Sequence, residues 1–213
     1  MEILEEKQLN LKFISITAIL FIAGICINLY FMNLHENEKT KEVDSNEKDI
    51  VENHIQVPYS EKIEAYSKIY GLDPYLVAAI IKTESGFDKD IVSSMGAVGL
   101  MQIMPDTGKW IAEKLELSNF NEEIIADPEV NIRMGTWYLK KLSEDFNGDY
   151  ILVLAAYNGG PGNVTKWLED EKYSSDGENL HKIPFKETKS YVQKVKFNHR
   201  IYKYLYNLGQ KAE

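Results

Sequence analysis

Hydrophobic positions fall into three regimes along the chain. Twenty residues from Phe13 to Met32 run without a charge, residues 33–56 are polar with no apolar period, and from Val57 onward apolar residues recur at helical spacing. The first regime is long enough to cross a bilayer core as a helix and longer than the usual secretory h-region. Residues 13–32 are therefore expected to form an uncleaved transmembrane signal anchor behind a short tail, 1–12. Neither a small-x-small cleavage pattern nor a good lipoprotein site follows, because Ile25 precedes Cys26. Lys7 and Lys12 before the span are nearly balanced by Lys39 and Lys41 after it, so charge does not set its orientation. Residues 33–56, rich in Glu, Lys, Asn and Asp, read as a flexible acidic linker with a root-mean-square reach of roughly 25–30 Å.

The third regime predicts helices over 60–70 with Gly71 as stop, 74–85, 107–115, 128–146 behind Asp127 as N-cap, 150–157, 161–169 and 185–208. Strand signals are confined to one short hairpin at about 88–100. The expected architecture is a single mainly α globular domain, 57–213, after the anchor and linker.

The most telling helix is the one behind Asp73 and Pro74, an N-cap and first-turn pair, which ends at Gly86. Leu76, Ile80 and Glu84 share one stripe, and Val77, Ala78, Ala79 and Ile81 make the other faces apolar too, so this helix should be buried nearly all round. A carboxylate there is desolvated and sits at the negative end of the helix dipole; both effects hold its proton on towards neutral pH, as a general acid requires. The plainer alternative is a helix-terminal carboxylate that turns to solvent.

Four motifs weigh on that choice. Glu84-Ser85, then Ser93-x-x-Gly96-Ala97-x-Gly99-Leu100-Met101-Gln102-Ile103-Met104-Pro105, then Ala155-Ala156-Tyr157-Asn158-Gly159-Gly160, then Glu187-Thr188-x-x-Tyr191-Val192 resemble the motifs of the soluble-type (SLT) lytic transglycosylases, in the family's order and separations. The resemblance covers roughly residues 58 to 208. Gly159 departs from it, since the family commonly has Ala there, and is expected to loosen the turn without removing a functional group.

The resemblance implies a lysozyme-like fold of the goose type with a substrate cleft for peptidoglycan glycan strands. It implies Glu84 as the catalytic acid, with Ser93, Met101, Gln102, Tyr157, Asn158 and Glu187 as substrate-binding residues. Ser85 is expected to help fix the glutamate, and Tyr157 to present its hydroxyl toward Glu84 or a sugar. Plain structural alternatives stand beside several of these: Met101 as core, Tyr157 as a buried aromatic with a satisfied hydroxyl, Glu187 as a first-turn carboxylate favoured by the helix dipole. Trp110, Trp137 and Trp167 are expected in the core or the cleft wall. The four motifs supply one well-placed acid and no companion carboxylate, whereas ordinary glycosidases use two. The implied chemistry is cleavage of the bond between N-acetylmuramic acid and N-acetylglucosamine, with the muramoyl group closing a 1,6-anhydro ring. A muramidase-type hydrolase of the same fold and a non-catalytic wall-binding or scaffold protein are the alternatives.

Composition narrows the partners. A net charge of −9 lacks the basic footprint of a nucleic-acid binder, although residues 33–56 alone hold seven Asp/Glu against three Lys. The histidines, His35, His54, His181 and His199, show no ligand spacing, so neither a metal nor a cofactor is expected. The lone Cys26 excludes an intramolecular disulfide. The expected location is the cell membrane, with the catalytic domain outside the cytoplasm.

Overall fold

An aspartate followed by proline or tyrosine starts several of the helices in the computed structural model, which describes residues 57–117 and 120–210, with side chains as far as Leu205. Asp73 accepts a hydrogen bond from the N–H of Tyr75, Asp127 from those of Glu129 and Val130, and Asp149 from those of Ile151 and Leu152. Each satisfies backbone donors that the first helical turn leaves free. The helices among the described residues are α1 (Ser60–Tyr70), α2 (Pro74–Glu84), α3 (Pro105–Lys114), α4 (Pro128–Asp145), α5 (Tyr150–Gly159), α6 (Pro161–Leu168) and α7 (Lys186–Gln210). This is the mainly α architecture expected. α3 starts two residues earlier than the sequence pattern suggests, because Pro105 occupies its first turn behind an extended Met104. A single 3₁₀ turn, Glu122–Ala126, is too short to leave a period in the sequence. The anticipated hairpin is reduced to isolated antiparallel bridges, Val92 to Val98 and Val98 to Ile103.

These residues belong to one compact unit, 55–213. α2 runs through its centre, with Val77, Ala78, Ala79, Ile80 and Ile81 all at 3 % exposure or less. It is flanked by α1 and by the long α7, while α5 packs on α4, α6 and α7. No helix among the described residues is long and apolar enough to cross a membrane. The expected anchor at 13–32 and linker at 33–56, with Cys26, His35 and His54, lie outside the described residues.

Two polar clusters fix this packing. Asn131, fully buried on α4, accepts the N–H of Met101 at 2.7 Å and donates to the carbonyls of Val98 and Ile125 at 2.9 Å each. It thereby pins the glycine-rich segment 96–104 to the helix behind it. At Gly99 (φ 77°) an added Cβ would lie 2.6 Å from the Asn131 amide, so the close approach needs glycine. The second cluster joins three helices: Asp73 Oδ2 lies 2.9 Å from His199 Nε2, and His199 Nδ1 lies 3.1 Å from the Tyr150 hydroxyl. The starts of α2 and α5 are thus tied to the middle of α7.

Candidate active site

Glu84 is the last residue of α2, and its side chain is partly buried. Ser85 follows as C-cap, then Gly86 and Phe87 at φ 63° and 72° reverse the chain. The Ser85 hydroxyl lies 2.9 Å from the Leu100 carbonyl and 3.1 Å from that of Ile81, and it accepts the N–H of Phe87. It ties the end of α2 to the glycine-rich segment.

Burial raises the Glu84 pKa from 4.5 to about 7; the nearby Glu187 charge adds to this, while the Tyr191 hydroxyl favours the charged form. Tyr191 and Glu187 both come from the first turns of α7, four residues apart and hence on one face. The buried Tyr191 hydroxyl makes no hydrogen bond of normal geometry with any described group, although it stands close enough to Glu84 to act on its proton. Glu84 thus sits in a low-dielectric recess, and from one face of α7 both the Glu187 charge and the Tyr191 hydroxyl act on it. Such a carboxyl holds its proton to near-neutral pH and can deliver it to a bound oxygen.

The other expected site residues divide. Glu187 is exposed in the first turn of α7 and shares a cleft of about 390 Å³ with Asn158, Gly159, Phe185, Lys186 and Thr188. Gln102 has left-handed backbone (φ 48°), a conformation uncommon outside glycine. Its Nε2 donates to the carbonyls of Gly99 at 2.9 Å and Ile91 at 3.2 Å. Only its Oε1 is left to meet a ligand, as an acceptor. Ser93 serves its own loop: its hydroxyl accepts the N–H of Ala97 at 2.9 Å.

Three expectations need correction. The Met101 side chain is fully buried rather than facing the groove, and it packs so tightly on α4 that a Cβ at Gly135 would meet its sulfur at 2.4 Å. The Tyr157 hydroxyl does not aim its proton at Glu84 or at open space. It donates to the Met101 carbonyl at 2.9 Å, which with the Asn131 bond fastens Met101 at both ends. Burial, and after it the Glu84 charge, drive the Tyr157 pKa well above 10, so the hydroxyl stays protonated beside Glu84. Gly159 does not loosen a turn either. It closes α5 where an added Cβ would lie 3.0 Å from Thr188 Oγ1 and 3.3 Å from the Trp167 ring.

Among the aromatics, Trp167 is core and packs edge-on against Phe185 at 4.9 Å. Trp110 and Tyr138 line a second groove of about 410 Å³, and Tyr138 packs on Tyr157 at 5.6 Å. The sequence reading assigned no role to Tyr191 or Asn131. Tyr191 was visible as part of the last motif, four residues after Glu187; Asn131 left no signal beyond its being polar within an amphipathic helix.

Comparison with known proteins gives concordant matches. Residues 61–180 match the Transglycosylase SLT domain family. The soluble lytic murein transglycosylase of Escherichia coli K12 is 32% identical over 158 residues, 73% of this chain and 24% of that protein. The membrane-bound lytic murein transglycosylase C of Edwardsiella ictaluri is 35% identical over 135 residues, 58% of this chain and 38% of that one. Among solved structures, an inactive mutant of the lytic transglycosylase Slt from Pseudomonas aeruginosa superposes with a TM-score of 0.62 at 34% identity, over 71% of this chain and 25% of its own. The 70 kDa soluble lytic transglycosylase from Escherichia coli gives 0.63 at 30% identity, over 73% and 26%. The chain thus spans about a quarter of the length of the soluble curated relatives it matches.

Proposed function

Because the chain belongs to the Transglycosylase SLT domain family, we propose that it is a peptidoglycan lytic transglycosylase whose general acid is Glu84. The observation that carries this reading is the partly buried Glu84 carboxyl with its pKa raised to about 7. The neighbouring acids are unsuited to act as a second catalytic carboxylate. Asp90 is exposed and paired with Lys89 at 2.6 Å, Asp88 is exposed and accepts the N–H of Asp90, and Glu187 acts on Glu84 as an exposed like charge.

One carboxyl is enough if the substrate supplies the rest. Glu84 gives its proton to the oxygen between N-acetylmuramic acid and N-acetylglucosamine as the C1–O bond breaks, and the muramoyl acetamido group stabilises the cationic centre. The resulting carboxylate takes the proton of the same sugar's 6-hydroxyl, whose oxygen bonds to C1. Glu84 ends protonated, no water is consumed, and the product carries a 1,6-anhydro ring. Gln102 through its Oε1, Ser93, Asn158 and Glu187 are the proposed sugar contacts. Tyr157 and the Met101 backbone hold the floor on which the sugar rests.

The domain is held at the membrane, in this reading, by residues 13–32 through the linker 33–56, with the catalytic domain outside the cytoplasm. The uncharged twenty-residue run supports the anchor. Intact protein then fractionates with membranes and resists alkali, and recovery of mature enzyme from the medium with a new N-terminus at residues 30–35 would replace the anchor with a signal peptide.

Mass spectrometry of a purified peptidoglycan digest tests the chemistry. Products ending in 1,6-anhydromuramic acid are expected, each one water lighter than a muramidase product. Glu84→Gln should lose ~10²–10⁴ in turnover. Reducing ends dominating the digest would indicate a hydrolase, and a Gln variant within about tenfold of wild type would remove Glu84 from the role.

A further inference from the structure

The outward face of α7 carries a row of exposed apolar side chains set among cations. Phe197, Ile201 and Tyr204 are 56%, 41% and 63% exposed, at the four- and three-residue spacing that lines one face of a helix. The opposite face buries Tyr191, Val192 and Val195 against the domain, so the exposed row belongs to a helix whose packing is already complete. Lys194 flanks the row on one side and Lys196, Arg200 and Lys203 on the other, all exposed. Only Lys203 approaches an acid, 3.8 Å from Asp73; Lys194, Lys196 and Arg200 have no ion pair among the described residues. Over its whole length α7 holds six Lys/Arg against one Glu, in a chain of net charge −9. The cationic surplus is therefore concentrated on this element, and Glu187, its only acid, lies at the far end from the row.

We propose that this face of α7 docks on an anionic lipid bilayer surface. Apolar side chains in the middle enter the headgroup–acyl boundary while the lysines and arginine on both sides reach lipid phosphates, which is how a basic amphipathic helix lies in the plane of a membrane. Cations on both flanks match an extended anionic plane better than an apolar groove in a protein, which is served by the central row alone. The inference rests on the described domain and is independent of both the catalytic reading and the proposed anchor.

The test uses the full chain with Cys26→Ser and an environment-sensitive fluorophore on Ile201→Cys, reconstituted in vesicles. With phosphatidylglycerol present at low salt, the emission should shift to the blue. The shift should vanish in pure phosphatidylcholine and at high salt. The pair Lys194→Gln and Arg200→Gln should lower the ratio of docked to free helix about twenty-five-fold, roughly fivefold per cation near an anionic surface. The same variant should keep its turnover on soluble glycan, which separates this result from the fate of the catalytic reading. No shift with phosphatidylglycerol, or an equal shift in pure phosphatidylcholine, overturns the proposal. A shift that tracks protein-to-lipid ratio instead assigns the face to contact between two copies of the chain.

Discussion

Replacing Glu84 with glutamine should make the folded protein more stable, and by an amount that depends on pH in one direction only. The carboxyl has a pKa of about 7 in the folded domain against 4.5 as its ordinary value. At 1.36 kcal/mol per pKa step that difference corresponds to about 3 kcal/mol. Below about pH 4.5 both folded and unfolded chains hold the proton, and the group contributes nothing to the balance. Between about pH 4.5 and 7 the unfolded chain releases its proton first, so rising pH favours unfolding. Above about pH 7 both states are ionised and the folded state carries the whole penalty. Glutamine keeps the size of the side chain but does not titrate. Wild type and Glu84→Gln should therefore unfold alike near pH 4, and the variant should be ahead by up to about 3 kcal/mol at pH 8, about 6–12 °C in Tm for a domain of this size. Denaturant unfolding followed by tryptophan fluorescence is a suitable assay, because Trp110, Trp137 and Trp167 all report on the described domain. A difference between the two proteins that stays constant from pH 4 to 8, or a glutamine variant less stable at pH 8, would refute the argument that Glu84 is held protonated by its surroundings.

Glu187→Gln removes a like charge from beside Glu84 and should move the alkaline limb of the turnover–pH profile to lower pH, whereas Tyr191→Phe removes a group that favours the carboxylate and should move it to higher pH. Limbs that move together, or not at all, would place neither residue in electrostatic contact with the acid. Asn131→Ala strips partners from one N–H and two carbonyls, and chemical denaturation should show a loss of ~2–4 kcal/mol. Gly159→Ala inserts a methyl 3.0 Å from Thr188 Oγ1, and calorimetry should show ~1–3 kcal/mol of destabilisation despite the frequency of alanine there in the family.

Helix positions were legible because their start signals are local. Asp73-Pro74 and Asp127-Pro128 gave the first residues of α2 and α4, and Gly71 (φ 67°) ended α1 where expected. The raised pKa of Glu84 was legible for the same reason: an acid on the buried stripe of an apolar helix is desolvated whatever surrounds it. What no local pattern could reveal is how a side chain divides its hydrogen bonds across the fold. Gln102 and Tyr157 were both read as reaching for sugar, yet the Gln102 amide nitrogen and the Tyr157 proton are taken by backbone carbonyls. Between the two places left open for Met101, the substrate groove that the resemblance implies and the core, no local pattern decides, because what admits its side chain to the core is Gly135, 34 residues later on α4. The links from Asp73 to His199 and from His199 to Tyr150 span 126 and 49 residues of sequence. Neither residue's neighbours announce them.

The tie among Asp73, His199 and Tyr150 has a mechanical consequence. α2 is eleven residues long, roughly 16 Å from the tied end to the end that bears Glu84. α5 runs likewise from Tyr150 to the neighbourhood of Tyr157, and α7 joins both by its middle while its first two turns carry Glu187 and Tyr191. Three levers share one pivot, and their far ends come together around Glu84. In the proposed mechanism, the aim of the acid then depends on an imidazole that touches none of the proposed reacting groups. A tilt at the pivot is carried undiminished along rigid helices, and misplacement of a catalytic group by about 1 Å is enough to lose about a hundredfold in rate. Anyone reshaping this cleft, or transplanting its acid into another helical frame, has to carry the pivot along with it.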